Sequence, residues 1–127
     1  MKWSFAAVAL LAFAAVPAFA EGTLGPNDFA KAVVGNSILG KGSQNKNYGI
    51  YFKEDGTMTF QRTDGWTDQG RWRVEGSKFC QKWNVIRDAK DFCLRDFQHE
   101  GGKWSMFNEL LKERQEIEVK PGHVSIF

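Results

Sequence analysis

Two histidines, two cysteines and two closely spaced pairs of aspartates are the residues of this chain whose types could do chemistry. His99 stands beside Glu100 in "QHEGG", and His123 follows Pro121-Gly122 near the C-terminus. An imidazole titrates where a general base or a metal ligand must work. Neither histidine has partners at metal-ligand spacing, and both fall at element ends, where a surface role is the plainer reading. Asp64 and Asp68 flank "GWT", while Asp88 and Asp91 flank "AK". Paired carboxylates can divide acid and base roles on a sugar, but turn aspartates ordinarily bond to their own backbone. No serine lies in a Gly-x-Ser-x-Gly context. Gly40-Lys41-Gly42 lacks the sequel of a phosphate loop and reads as a turn or bulge. With no acid, base or nucleophile constellation, the chain is expected not to be an enzyme, and neither a cofactor nor a metal is expected.

Stepping along the chain from its start, the first twenty residues, MKWSFAAVALLAFAAVPAFA, read as a leader. Lys2 gives a positive start, and Phe5 to Val16 is an uncharged apolar run of twelve. Ala18-Phe19-Ala20 then supplies a small-x-small pattern before polar Glu21. This is the layout of a cleaved secretory signal, and the run is shorter than the ~20 residues of a membrane helix. The expectation is a signal peptide over residues 1–20, cleavage after Ala20, and a periplasmic or secreted single domain over residues 21–127 with no membrane span. Removing Lys2 from 17 basic residues, against 15 acidic, leaves a formal charge near +1. Such a chain has no electrostatic footprint for nucleic acid or an anionic membrane.

Export bears directly on Cys80 and Cys93. A structural zinc site needs four close ligands and a thioredoxin-type centre needs Cys-x-x-Cys, whereas twelve residues separate these two. In an oxidising compartment a lone pair reads as one disulfide. Closing so short a loop contributes about 3 kcal/mol in the chain-entropy model.

The elements that position these residues show two periods. "GPNDFAKAVVGN" predicts a short helix capped by Asn27 or Asp28, with Phe29, Ala32 and Val33 on one face and Gly35-Asn36 ending it. Two turns of helix need a surface to pack on, and the end of a sheet or barrel would supply it. Beyond Asn36 the period is two. "YGIYFK" sets Tyr48, Ile50 and Phe52 on one face, Asp55-Gly56 marks a hairpin turn, and "TMTFQR" returns with Met58 and Phe60. "GRWRVEG" sets Trp72 and Val74 against Arg71 and Arg73. "KFCQKWNV" sets Phe79, Trp83 and Val85 against Cys80 and Lys82, and "DFCLRDF" sets Phe92 and Leu94 against Asp91, Cys93 and Arg95. "KWSMFN" carries Trp104 and Met106, and "EIEVK" and "HVSIF" complete the series, with His123 opening the last strand. "ELLKERQ" is compatible with a helical turn or with a strand extension. Six to eight short strands of this kind predict a mainly β fold, a small antiparallel up-and-down β-barrel with one short N-terminal helix. A two-sheet sandwich is the alternative.

If Cys80 lies opposite Cys93, Phe79 lies opposite Leu94 on the apolar face. Lys82 then faces Asp91 favourably, and Lys78 faces Arg95 unfavourably. The disulfide is therefore expected on the outer, polar face of a hairpin. Arg71, Arg73, Lys82 and Arg87 read as a solvated outer face.

"GNSILGKG", "YGIYFKEDGTM", "GRWRVEGSKFCQKW" and "FC", spanning Gly35 to Cys93, resemble a pattern of small exported alphaproteobacterial proteins in domain-of-unknown-function families. The resemblance implies a lipocalin- or avidin-like barrel and implies no activity.

The aromatic set is the remaining functional signal. Trp72, Trp83 and Trp104 fall on the predicted inner face with Phe52 and Phe60, and Gln81 and Asp96 share that parity. These five aromatics could line a pocket for a small hydrophobic or aromatic ligand, or fill the interior as plain core. Trp66 belongs to a turn, where it could touch a ligand or a partner. Two functions follow: a periplasmic module binding a small apolar ligand, or a solid barrel presenting its loops to an envelope protein or acting as an inhibitor.

Overall fold

A computed structural model describes residues 19–42 and 46–125. The elements are β1 (Gly22–Leu24), α1 (Pro26–Val33), β2 (Asn36–Lys41), β3 (Asn47–Phe52), β4 (Thr57–Arg62) and β5 (Thr67–Glu75). They continue with β6 (Lys78–Trp83), β7 (Phe92–Glu100), β8 (Lys103–Asn108) and β9 (Glu113–Pro121). Every consecutive pair from β2 to β9 is antiparallel, and β9 returns to pair with β2. The result is a closed eight-stranded up-and-down barrel, and the sandwich alternative is set aside. Closure satisfies the backbone of both would-be edges. The alternation that builds it is plain in β5, where Asp68, Trp72 and Val74 turn inward while Gln69, Arg71 and Arg73 are exposed.

One strand serves two neighbours on the same side. The first half of β7 pairs with β6, and its second half takes β1 (Leu24 opposite Phe97, Gly22 opposite His99). Asp96 makes the switch: it is an extra residue against β8 and adopts a left-handed backbone with φ 54°. A bulge of this kind bends a strand and re-aims the side chains around it. Asp96 therefore does not share the inner parity of Gln81; it is exposed and ion-paired with Arg95.

The helix closes one end of the barrel. Its N-cap is Gly25, not Asn27 or Asp28; Asp28 stands at the third helical position and accepts the Gly25 N–H at 3.0 Å. Gly35, with φ 79°, turns the chain into β2. Phe29 stacks on Phe97 (4.9 Å between ring centres) and meets Phe79 (5.1 Å) and Trp104 (5.5 Å) edge-on. Val33, Phe52 and Met58 are buried in the same layer. Phe19 meets Trp104 edge-on, with ring centres 5.4 Å apart. The expected leader lies outside the described residues over positions 1–18.

Cys80 and Cys93 are disulfide-bonded in the expected register, with Phe79 opposite Leu94. Their charged neighbours differ from expectation. Asp91 takes both arms of Arg73 (2.8 and 2.7 Å) across β6 instead of pairing with Lys82. Arg73 lies opposite Cys80, one strand nearer the bond. The Lys78–Arg95 conflict is resolved by Glu109, which pairs with both at 3.0 and 3.4 Å. β6 ends at Trp83, so Val85 is not an inward residue but is 62% exposed. Residues 109–112 of "ELLKERQ" form a turn, and the strand resumes at Glu113. "HVSIF" adds no strand over residues 123–125, and residues 126–127 lie outside the described part. There the tail is tied by Ser37, whose hydroxyl donates to the Gly122 carbonyl (2.7 Å) and accepts the Val124 N–H (3.0 Å).

Candidate binding cavity at the open end of the barrel

Opposite the helix, the barrel interior is hollow. A cavity of about 660 Å³ runs from Phe29, its floor, to the loops at the open end. That falls within the range of about 300–1,000 Å³ typical of small-molecule sites. Its wall is apolar: Ile38, Ile50, Phe92, Leu94, Met106 and Ile117 contribute from β2, β3, β7, β8 and β9. Each is an inward position of a strand whose alternate residues face out.

One side of the wall is aromatic. Tyr48 stacks on Phe60 (5.4 Å, 19°), and Phe60 meets Trp66 (5.6 Å) and Trp83 (5.8 Å) edge-on. Two glycines make room for this layer. A Cβ on Gly40 would stand 2.4 Å from the Tyr48 ring, and one on Gly70 would stand 2.9 Å from Trp83 and 2.5 Å from the Lys82 carbonyl. The bare backbone lets each ring lie flat over the neighbouring strand. Burial raises the Tyr48 hydroxyl above its ordinary value of 10.0, and the nearby Arg87 charge partly opposes that rise.

Basic side chains stand around the mouth. Lys41, Lys46, Arg62 and Arg87 line it, with Glu113 as the one acidic residue in the lining. Arg62 lies over the Trp66 ring at 5.0 Å, and Asp64 receives both Arg62 (2.8 Å) and Lys46 (3.2 Å). The Arg62 hydrogen bond, aided by the Trp66 N–H and Lys46, holds the Asp64 carboxyl well below the usual carboxylate range. Among the described residues Lys41 and Arg87 take no ion pair.

Arg87 owes its place to an unusual loop. Arg87, Asp88 and Ala89 all have left-handed backbones, with φ of 57°, 56° and 57°. For residues other than glycine this costs about 1–2 kcal/mol apiece. The surroundings hold the turn in place: buried Asp68 accepts the N–H groups of Val85 (3.0 Å) and Ile86 (2.9 Å), and the Lys90 N–H closes on the Arg87 carbonyl (3.0 Å). The Cys80–Cys93 bond ties the two strands from which the loop springs. The disulfide thus staples the loop that forms one lip of the cavity, although Cys80 and Cys93 alternate with the inward Phe79 and Leu94; Cys80 is covered, 1% exposed, on the face away from the cavity.

Three amides line the cavity, and they differ. Asn108 caps the 109–112 turn by accepting the N–H groups of Leu110 (3.0 Å) and Leu111 (3.1 Å), and donates to Gln115 at 3.2 Å. Gln81 is 5% exposed and lines the cavity, yet its side chain bonds to no described residue.

Of the five aromatics expected to line a pocket, Phe60 and Trp83 do so. Phe52, Trp72 and Trp104 lie in the filled layer at the helix end: Trp72 stacks on Phe79 (5.5 Å), and Phe52 meets the same ring at 5.8 Å. Trp66 lines the mouth. Arg71, Arg73 and Lys82 are exposed on the outer face as expected, whereas Arg87 belongs to the rim. The rim cations carry no local sequence signal, since separate loops and strand ends bring them together. Neither histidine reaches the cavity lining; His99 tilts against Trp104 at 4.9 Å, and His123 stacks on Tyr51 at 4.4 Å. Among the described residues no three His, Cys, Asp or Glu side chains converge as metal ligands, and no helix is long and apolar enough to cross a membrane.

Fold and cavity together define a small up-and-down barrel plugged at one end and hollow at the other. No protein-family model matches the chain, and no curated protein or solved structure matches it either.

Proposed function

We propose that this protein is an exported, periplasmic binding module, lipocalin- or avidin-like in plan, that holds one small apolar or aromatic molecule in the open half of its barrel. The observation that carries this reading is the 660 Å³ cavity, with Trp83, Phe60 and Tyr48 along one wall. Burying apolar ligand surface there is worth about 25 cal/mol per Å² before the costs of association. The leader pattern over residues 1–20 supports export, and a structural disulfide fits an oxidising compartment. The module acts by binding: apolar and aromatic side chains form the wall and charged side chains stand at the mouth. A solid-barrel interaction or inhibitor module has less support, because the aromatic wall faces a void instead of packed side chains.

The test is a titration with the neutral dye N-phenyl-1-naphthylamine, following dye emission and tryptophan quenching. Saturable one-to-one binding, weakened by Phe60→Ala, is the expected result. An absence of saturable binding would turn attention to the loops as a protein-binding surface. Intact mass of protein from a periplasmic extract tests export, with Glu21 expected as the first residue.

A further inference from the structure

We infer that Gln81 is the polar recognition point inside the cavity, and that the ligand is an apolar ring system bearing a hydroxyl or carbonyl oxygen directed at its amide. This rests on the binding reading above and names the ligand class for the same site. A side-chain amide that opens into a cavity is satisfied by water or by a ligand that occupies it. Gln81 is 5% exposed, lines the cavity, and makes no side-chain hydrogen bond with any described residue. The buried unpartnered atoms among the described residues are Thr59 Oγ1 and Gln61 Oε1, so the Gln81 amide faces the cavity space. Its surroundings leave it no protein partner. It stands opposite Trp72 on β5 and Phe92 on β7, and its own strand sends Phe79 and Trp83 inward on either side of it. Trp72 cannot serve it, because the indole N–H is spent on the Lys53 carbonyl at 2.9 Å. The other two lining amides, Asn108 and Gln115, bond to each other at 3.2 Å. Gln81 alone among the three offers both donors and its acceptor to whatever occupies the cavity. A leucine or methionine would fill this position in a barrel meant only for hydrocarbon.

The flanking rings favour a flat ligand. Trp83 and Phe60 present ring edges and faces suited to stacked or edge-on aromatic contacts. A hydroxyl or carbonyl at the inner end then completes the Gln81 hydrogen bond in a low-dielectric setting, where leaving it unmade is most expensive.

The experiment compares 2-naphthol with 2-methylnaphthalene, which share shape and differ in a hydroxyl against a methyl, by displacement of N-phenyl-1-naphthylamine at pH 6. The intact protein and Gln81→Met are measured side by side, with Gln81→Leu as a second variant should either fold poorly. The expected result is a ratio of affinities that moves about ten-fold toward 2-methylnaphthalene in the variants, the value of one buried hydrogen bond. Thermal stability of the variants should be little changed, since the amide opens onto the cavity and bonds to no described residue. Equal weakening of both compounds, or an unchanged ratio, would overturn the role given to Gln81 while leaving the cavity a binding site. Dye binding with neither naphthalene able to displace it would overturn the ligand class. If neither the dye nor either naphthalene binds, the binding reading fails and this inference with it.

Discussion

The two ends of this barrel are made from the same strands and the same kinds of residue, yet one is filled and the other is not. At the helix end, Phe29 drops into the barrel and gathers Phe79, Phe97 and Trp104 around it, each 1% exposed or less. At the other end, Phe60, Trp83 and Tyr48 form an equally aromatic layer with no plug above them. The closed end joins its strands by tight turns such as those at Gly56 and residues 101–102. The open end carries the longer β6–β7 loop, with three consecutive left-handed residues and Arg87 at the lip. Stability is concentrated where side chains interlock, and binding capacity where they fail to meet.

The largest expected effect comes from emptying the closed end. Phe29→Ala should cost about 3–5 kcal/mol in urea unfolding, as for other buried aromatic truncations. Phe60→Ala should cost less than half as much, because its ring borders a void and loses fewer neighbours. Equal costs would erase the contrast between the ends.

Replacing both cysteines, Cys80→Ser with Cys93→Ser, should cost about 3 kcal/mol through the unfolded state. Because the bond staples the open-end loop, hydrogen exchange should rise first over residues 84–91, with the helix end little changed. Uniform loss of protection over both ends would show that the staple has no special tie to the lip.

Asp68→Ala should cost about 1–3 kcal/mol, since the Val85 and Ile86 N–H groups lose a buried carboxylate. It should also weaken dye binding by releasing the left-handed turn. Stability loss with intact dye affinity would mean that the turn does not shape the cavity.

The smallest effect concerns protons. The Tyr48 hydroxyl is raised by burial above 10.0, so the folded protein keeps that proton more tightly than the unfolded chain. Its contribution is full below pH 10.0 and is lost as pH rises through the higher folded value. Phenolate absorbance in a Tyr51→Phe background should therefore appear late. Arg87→Gln should delay it further, because it removes the charge that opposes the rise.

Much of the fold could be read in the residues. Alternation placed Ile50, Phe60, Trp72, Phe79, Trp83, Leu94 and Met106 on the inner face, and the parity of Cys80 and Cys93 put the bond outside. Misreadings came where local chemistry competes. Asp28 reaches back to Gly25 from inside the helix, Glu109 arrives from another hairpin to settle Lys78 and Arg95, and the Asp96 bulge reverses one residue's face. The site was half legible. Parity separates inside from outside, but it carries no information on height along the barrel axis. Phe52, Trp72 and Trp104 share a face with Phe60 and Trp83, and only the seat of Phe29 decides which of them surround a void.

The sequence by itself determined a mainly β chain of six to eight alternating strands, a short helix and one disulfide, though it missed β2 and read a strand into "HVSIF"; alternation and pairing depend on spacing within a few residues. Tertiary structure alone decided that the helix plugs one end, that Lys41, Lys46, Arg62 and Arg87 converge on the other, and that Gln81 faces open space. Those outcomes depend on closure of the sheet, which sets residues from distant strands at a common height, and no local pattern encodes that height.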